Sequence, residues 1–203
     1  MFPFDVILFD VGGVLLTNGW DHAERAAAMA HFGLDRAPFE ARHAAPNDAW
    51  ERDVIPVKAY LDSTVFYESR PFSHDDFIAF MLTQSKLLPD GALGILGELA
   101  ASDHYLLGAL NNEARETNEY RFRKFGLRKL FRVALSSCYL GLRKPDLAIY
   151  KRALDILGRQ PERILFIDDR PENVAGAVAA GMHGIQFHGA ESLRQELAAL
   201  GVL

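Results

Sequence analysis

A carboxylate at Asp10, two amides at Asn111 and Asn112, an ammonium at Lys144 and two further carboxylates at Asp168 and Asp169 are the residues of this chain best suited to chemistry. Asp10 follows the apolar run Val6–Phe9 and opens a glycine-rich turn through Gly12 and Gly13. Asn111 and Asn112 follow Tyr105–Leu110, and Asp168-Asp169 follow Ile164–Ile167. Lys144 stands before Pro145, just ahead of a helical pattern. A lone carboxylate held at a strand end is a candidate nucleophile or metal ligand. Three carboxylates converging on one crevice repel one another, and a bound cation relieves them. An all-oxygen donor set suits a hard cation such as Mg²⁺ better than zinc. That ion would neutralise a phosphate, while Lys144 and the amides hold its remaining oxygens.

These residues can meet only if the apolar runs are neighbouring strands. Val6–Phe9, Tyr105–Leu110 and Ile164–Ile167 read as fully buried parallel strands, with weaker runs at Arg132–Leu135 and Gly184–Phe187. Helical patterns fill the gaps at Ala92–Ala101, Leu147–Leu157, Glu172–Ala180 and Ser192–Leu200. Pro171 is a good helix start, and Gly158 and Gly181 are good stops. The alternation predicts an α/β fold, a doubly wound parallel sheet whose sites lie at the carboxyl ends of its strands.

Residues 18–88 break this pattern. They contain no convincing strand. Four amphipathic stretches, Asp21–Phe32, Pro38–Trp50, Val57–Ser69 and His74–Leu87, are punctuated by Pro38, Pro46, Pro56, Pro71 and Pro89. The block reads as an all-helical insertion after the first strand, leaving residues 1–17 and 89–203 for the core.

The bulk properties narrow the function classes. A chain of 203 residues, 49% apolar and 24% charged, has enough material for one core carrying an insertion. Its net charge of -5 argues against nucleic acid as a partner. The single cysteine, Cys138, excludes an internal disulfide framework and, among apolar neighbours, reads as a buried structural thiol. No run of about 18 apolar residues predicts a membrane span, and the opening residues lack the basic flank of a secretory signal. A cytoplasmic location is the expectation.

Four segments occur in order: Phe9-Asp10-Val11-Gly12-Gly13-Val14, Leu110-Asn111-Asn112, Lys144-Pro145 and Phe166-Ile167-Asp168-Asp169. Together they resemble the motifs of the haloacid dehalogenase superfamily across the whole chain. Gly141–Tyr150 and Ile164–Gly181 are similar to the subfamily with a helical cap after its first motif. The resemblance implies a Rossmann-like core, a Mg²⁺ cofactor and hydrolysis of a small phosphorylated metabolite, by a monomer or homodimer. It implies that Asp10 attacks phosphorus and forms an aspartyl-phosphate. Mg²⁺ ligands would come from Asp10, the Gly12 carbonyl and Asp169, with Asp168 in support. Lys144 would tie nucleophile to phosphoryl group, Asn111 and Asn112 would bind the substrate, and Asn173 would orient metal-bound water.

Two positions depart from the family pattern. Phosphatases of this kind usually carry an aspartate two residues after the nucleophile, as general acid and then base, and here Gly12 stands there. Such help is worth about 10²–10⁴-fold. A branch resembling sugar-1-phosphate phosphatases also carries glycine there. Asn111 replaces the usual Ser or Thr with a longer amide donor. The competing readings are a 2-haloacid dehalogenase, which also lacks the second aspartate but needs no metal, and a phospho-ligand-binding member with little activity.

Other residues have plainer readings. Arg115 is expected on a solvated helix face, and His22, His31, His43, His74 and His104 lack ligand spacing. Trp20 and Trp50 are expected in the core of the insertion, and Trp50-Glu51-Arg52-Asp53 is the candidate loop facing the site.

Overall fold

The computed structural model describes residues 3–203. β1 (Val6–Phe9) is followed by four helices, α1 (His22–Phe32), α2 (Arg36–Glu51), α3 (Val57–Thr64) and α4 (His74–Thr83). Next come α5 (Leu93–Ser102), β2 (Leu106–Ala109), α6 (Arg115–Lys124), β3 (Val133–Ala134) and the short α7 (Ser137–Leu140). The chain ends through α8 (Leu147–Leu157), β4 (Ile164–Asp168), α9 (Pro171–Ala179), β5 (His183–Gln186) and α10 (Ala190–Ala199).

The five strands form one parallel sheet in the order β3-β2-β1-β4-β5. Alternate side chains of β1 enter different cores. Val6 and Leu8 pack with Ile164, Phe166 and Tyr150 on one face, whereas Ile7 and Phe9 pack with Leu107, Leu165 and Ile167 on the other. Burial on both faces explains why these strands are unbroken apolar runs rather than alternating ones. After β1 the chain builds outward to β2 and β3, then crosses to the opposite side for β4. The switch point therefore lies between β1 and β4, where an open α/β sheet leaves a crevice. Phe9 pairs with Ile167, so Asp10 emerges beside Asp168.

The helices α1–α4 share a separate cluster containing Trp20, Met29, Phe39, Trp50, Tyr60, Phe77 and Met81. The indole of Trp20 donates to the Tyr60 hydroxyl at 2.6 Å, and Trp50 stacks on the Tyr60 ring at 4.6 Å. Asp21 caps α1 in a reciprocal capping box with Glu24.

The predicted elements need several adjustments. The expected stretch Pro38–Trp50 is α2, which begins two residues earlier and keeps Pro46 inside it. A mid-helix proline costs about 3 kcal/mol, yet Phe39, His43, Asn47 and Trp50 bury one face of α2 on both sides of it. Their packing outweighs the lost bond. α3 and α4 end at Thr64 and Thr83, short of the expected Ser69 and Leu87. β5 begins one residue earlier than expected, and β3 contracts to two residues. Among the described residues no helix is long and apolar enough to cross a membrane.

Candidate active site

The Asp10 backbone N–H donates to the Ile167 carbonyl at 2.8 Å, fixing the residue at the switch point. Its Oδ1 accepts the Val11 N–H at 2.7 Å and lies 3.1 Å from Lys144 Nζ. No hydrogen bond reaches Oδ2 from the described residues, so Asp10 has one tethered oxygen and one free one. Lys144 also lies 2.5 Å from Asp168 Oδ2, and its side chain is almost wholly buried. Its peptide bond to Pro145 is cis.

Asp168 is fully engaged. Oδ1 accepts from the Arg170 N–H at 2.9 Å and from Asn173 Nδ2 at 3.0 Å, while Oδ2 meets Lys144 and Asn173. Asp169 differs from its neighbour: its Oδ1 is buried and accepts no hydrogen bond among the described residues. A buried carboxylate oxygen without a partner is costly unless a cation meets it. Asp10, Asp168 and Asp169 each present one oxygen, all within 4.8 Å of one another. Gly13 has φ 71°, and a Cβ there would run into the Asp169 carboxylate, so glycine permits the close approach.

The electrostatics agree with the need for a cation. Burial raises the Asp10 pKa most, Lys144 opposes it, and Asp168 and Asp169 raise it further. Burial and Asp168 also raise Asp169. Burial disfavours the Lys144 ammonium, but Asp10 and Asp168 outweigh that and raise its pKa. A divalent cation among these carboxylates removes their mutual repulsion, and the donor set is oxygen throughout. The residues present fit Mg²⁺.

The amides sit differently from their expected roles. Asn111 is 1% exposed; its Nδ2 donates to Asn118 Oδ1 at 3.0 Å, and its Oδ1 accepts from Ser136 Oγ at 2.8 Å. Its extra length over Ser or Thr turns it into this network. Asn112 lines the cavity but clamps the Lys144 backbone, donating to its carbonyl at 2.8 Å and accepting its N–H at 2.9 Å. Asn173 braces Asp168, and its own carbonyl accepts from the Tyr150 hydroxyl at 2.8 Å.

A cavity of about 350 Å³ opens over this cluster. Asp10, Gly12 and Lys144 form part of its core side; Asn18, Arg25, His43, Asn47 and Glu51 line it from the segment after β1 and from α1 and α2. The end of α2 is fastened to the core. Arg143 Nη1 donates to Asp48 at 2.7 Å, Arg115 meets Asp53 at 2.5 Å, and the Trp50 indole donates to Glu116 at 2.9 Å. Arg115 thus keeps its expected place, half-exposed at the start of α6, and also bridges insertion and core. The stretch Trp50–Asp53 does meet the core. Cys138 is buried, which pushes its thiol up to about 12.

Three features escaped sequence reasoning. Asn18 stands over Gly12, Arg170 meets Asp21 at 2.9 Å, and a buried Glu113–Arg121 pair supports the junction after β1. Arg121 Nη2 donates to the Thr17 carbonyl at 2.5 Å. The spacing of Glu113, just ahead of α6, from Thr117 and Arg121 on it was the available signal for the last.

The site is thus three carboxylates and a lysine at the switch point of a parallel α/β core, with the helices inserted after β1 forming part of the cavity wall. Residues 4–181 match the haloacid dehalogenase-like hydrolase family, and the chain belongs to it. A flavin mononucleotide hydrolase of Arabidopsis thaliana is 30% identical over 97% of this chain and 78% of its own length. A sesquiterpene phosphatase of Aspergillus oryzae is 26% identical over 91% of this chain and 90% of its own. Among solved structures, a family enzyme of Bacteroides thetaiotaomicron, in complex with magnesium and inorganic phosphate, has a TM-score of 0.77 at 19% identity, covering 92% of this chain and 95% of that one.

Proposed function

We propose that this hydrolase is a Mg²⁺-dependent phosphatase of a small phosphomonoester, with residues 18–88 as a cap closing over the substrate. The observation that carries the reading is Asp10 with its tethered Oδ1 and free Oδ2, beside the unpartnered oxygen of Asp169 and below a polar cavity. Phosphatases among the relatives and a magnesium-and-phosphate complex among the fold neighbours support it.

Mg²⁺, held by Asp10, Asp169 and the Gly12 carbonyl with Asp168 in support, would neutralise charge on the phosphoryl group. Lys144 holds Asp10 in place and gives the phosphoryl oxygens a second positive partner. Asp10 attacks phosphorus, the ester oxygen departs, and an aspartyl-phosphate forms. Water then attacks phosphorus and frees Asp10. Asn173 and the Arg170 N–H hold Asp168, which in turn holds Lys144. Asn112 fixes the Lys144 backbone from the other side. Asn111 serves this site by bracing its wall through Asn118 and Ser136. The cap narrows the access of bulk water to the site.

The test is phosphate release from a panel of phosphomonoesters with Mg²⁺, with chelator, and with Asp10→Asn. Turnover that needs both metal and Asp10 supports the reading. Chloride release from a 2-haloacid in chelator, with no phosphate release in Mg²⁺, would establish the dehalogenase instead.

A further inference from the structure

We propose that Glu51, carried in by the insertion, gives the leaving group the proton that position 12 cannot supply. The inference rests on the phosphatase reading above. Gly12 has no side chain, and a Cβ there would lie 2.8 Å from Asn18 Oδ1. The space beside the nucleophile is therefore occupied by an amide, which does not titrate. An acid must come from elsewhere on the cavity wall.

The other titratable groups on that wall are committed. Asp21 caps α1, accepts from Asn18 and meets Arg170. Glu113 accepts from Thr117 and pairs with buried Arg121. His43 is neutral near pH 7 and its Nδ1 lies 2.8 Å from the Tyr60 hydroxyl. Glu172 is exposed in the first turn of α9. The arginines do not release their protons.

Glu51 is different. Its Oε1 accepts from Asn47 Nδ2 at 2.9 Å, but its buried Oε2 has no hydrogen-bond partner among the described residues. Oε2 does form an ion pair with Arg143 Nε at 2.7 Å, without the alignment of a hydrogen bond, and Arg143 divides its charge by giving its Nη1 to Asp48. The Glu51 carbonyl accepts from Ser137 Oγ of α7 at 2.8 Å, which fixes this residue against the core. Burial raises the carboxyl's pKa and Glu113 adds to that, while Arg143, Asn47 and Arg170 pull the other way. The net shift favours the protonated form an acid needs.

The chemistry balances over two steps. As Asp10 forms its bond to phosphorus, the bond from phosphorus to the ester oxygen breaks, and that oxygen takes the Glu51 proton. The alcohol leaves and Glu51 is a carboxylate. Water then attacks phosphorus and passes a proton to Glu51, the bond to Asp10 breaks, and phosphate leaves with both residues restored.

A proton donor matters most where the leaving group is poor. The experiment compares kcat/KM for p-nitrophenyl phosphate with that for the fastest alkyl phosphomonoester of the panel, in wild type, Glu51→Gln and Glu51→Asp, with melting curves for each. Glu51→Gln should lower the alkyl-to-aryl ratio about 100-fold or more, within the usual range for general acids. Glu51→Asp should recover part of it. If Glu51→Gln does not fold, Glu51→Asp alone should still lower the ratio at least about fivefold, a fraction of the same range. Equal losses on both esters, or no change in the ratio, would overturn the proposal. So would a wild type active on the aryl ester and on no alkyl ester, since no acid then serves the leaving group. A wild type as inactive as Asp10→Asn on every ester would instead remove the phosphatase reading, and this proposal with it.

Discussion

Asn18 sits directly over Gly12, its Oδ1 2.8 Å from where any side chain at position 12 would begin. An aspartate at position 12 must therefore turn the Asn18 amide away from its hydrogen bond to Asp21. Gly12→Asp should lower turnover and destabilise the fold by about 1–3 kcal/mol through overpacking. Adding Asn18→Gly should recover stability, as thermal denaturation of the single and double variants would reveal. A single variant faster and more stable than wild type would contradict this packing.

Lys144 is the cation that two buried carboxylates share. Lys144→Met leaves Asp10 and Asp168 without it, and breaking such a pair costs about 3–5 kcal/mol. Urea unfolding should show a loss of that order together with loss of phosphate release. A variant with wild-type stability would mean that Asp168 is satisfied by Asn173 and the Arg170 N–H alone.

Gly13 reports on the metal separately from the chemistry. A methyl group there meets the Asp169 carboxylate at a backbone angle that disfavours L-residues. Gly13→Ala should weaken Mg²⁺ binding, read by titration calorimetry or by the metal-dependent rise in melting temperature. An unaltered affinity would count against Asp169 as a ligand.

Much of the site was legible because the sheet is parallel and buried. Each strand is a short apolar run, so the polar residue that ends it marks the carboxyl edge. Asp10, Asp168 and Asp169 were readable in this way, and Lys144 by its place before a proline and a helix. The roles of the amides were not, because Asn111 and Asn112 differ only in which way their side chains turn at the end of β2. The wall opposite was legible only in part: the stretch Trp50–Asp53 was expected to face the site and its Glu51 does, but Asn47 reaches the cavity through the packing of α2 on Tyr60 and Trp20, and no period in the sequence encodes where an inserted helix docks. The stretch Pro38–Trp50 was legible as one helical segment despite Pro46, since tertiary burial of α2 overrides the local cost of that proline.

His43 ties the insertion to pH. Burial, reinforced by the Arg25 cation, lowers its pKa from 6.5 to about 4. The folded protein therefore binds fewer protons than the unfolded chain between these values. The stability this confers is complete above pH 6.5 and is lost as pH falls toward 4. Melting temperature should fall across that interval more steeply in wild type than in His43→Gln. Parallel profiles would show that His43 is not held neutral.

Asp10 is the group expected to receive phosphorus. Acid quench of the enzyme during turnover of p-nitrophenyl phosphate with Mg²⁺, followed by peptide mass analysis, tests this most directly. The expected result is a phosphoryl group on the peptide carrying Asp10, absent from Asp10→Asn and from samples quenched after substrate is exhausted. A phosphoryl group on another residue, or turnover that persists in Asp10→Asn, would contradict it.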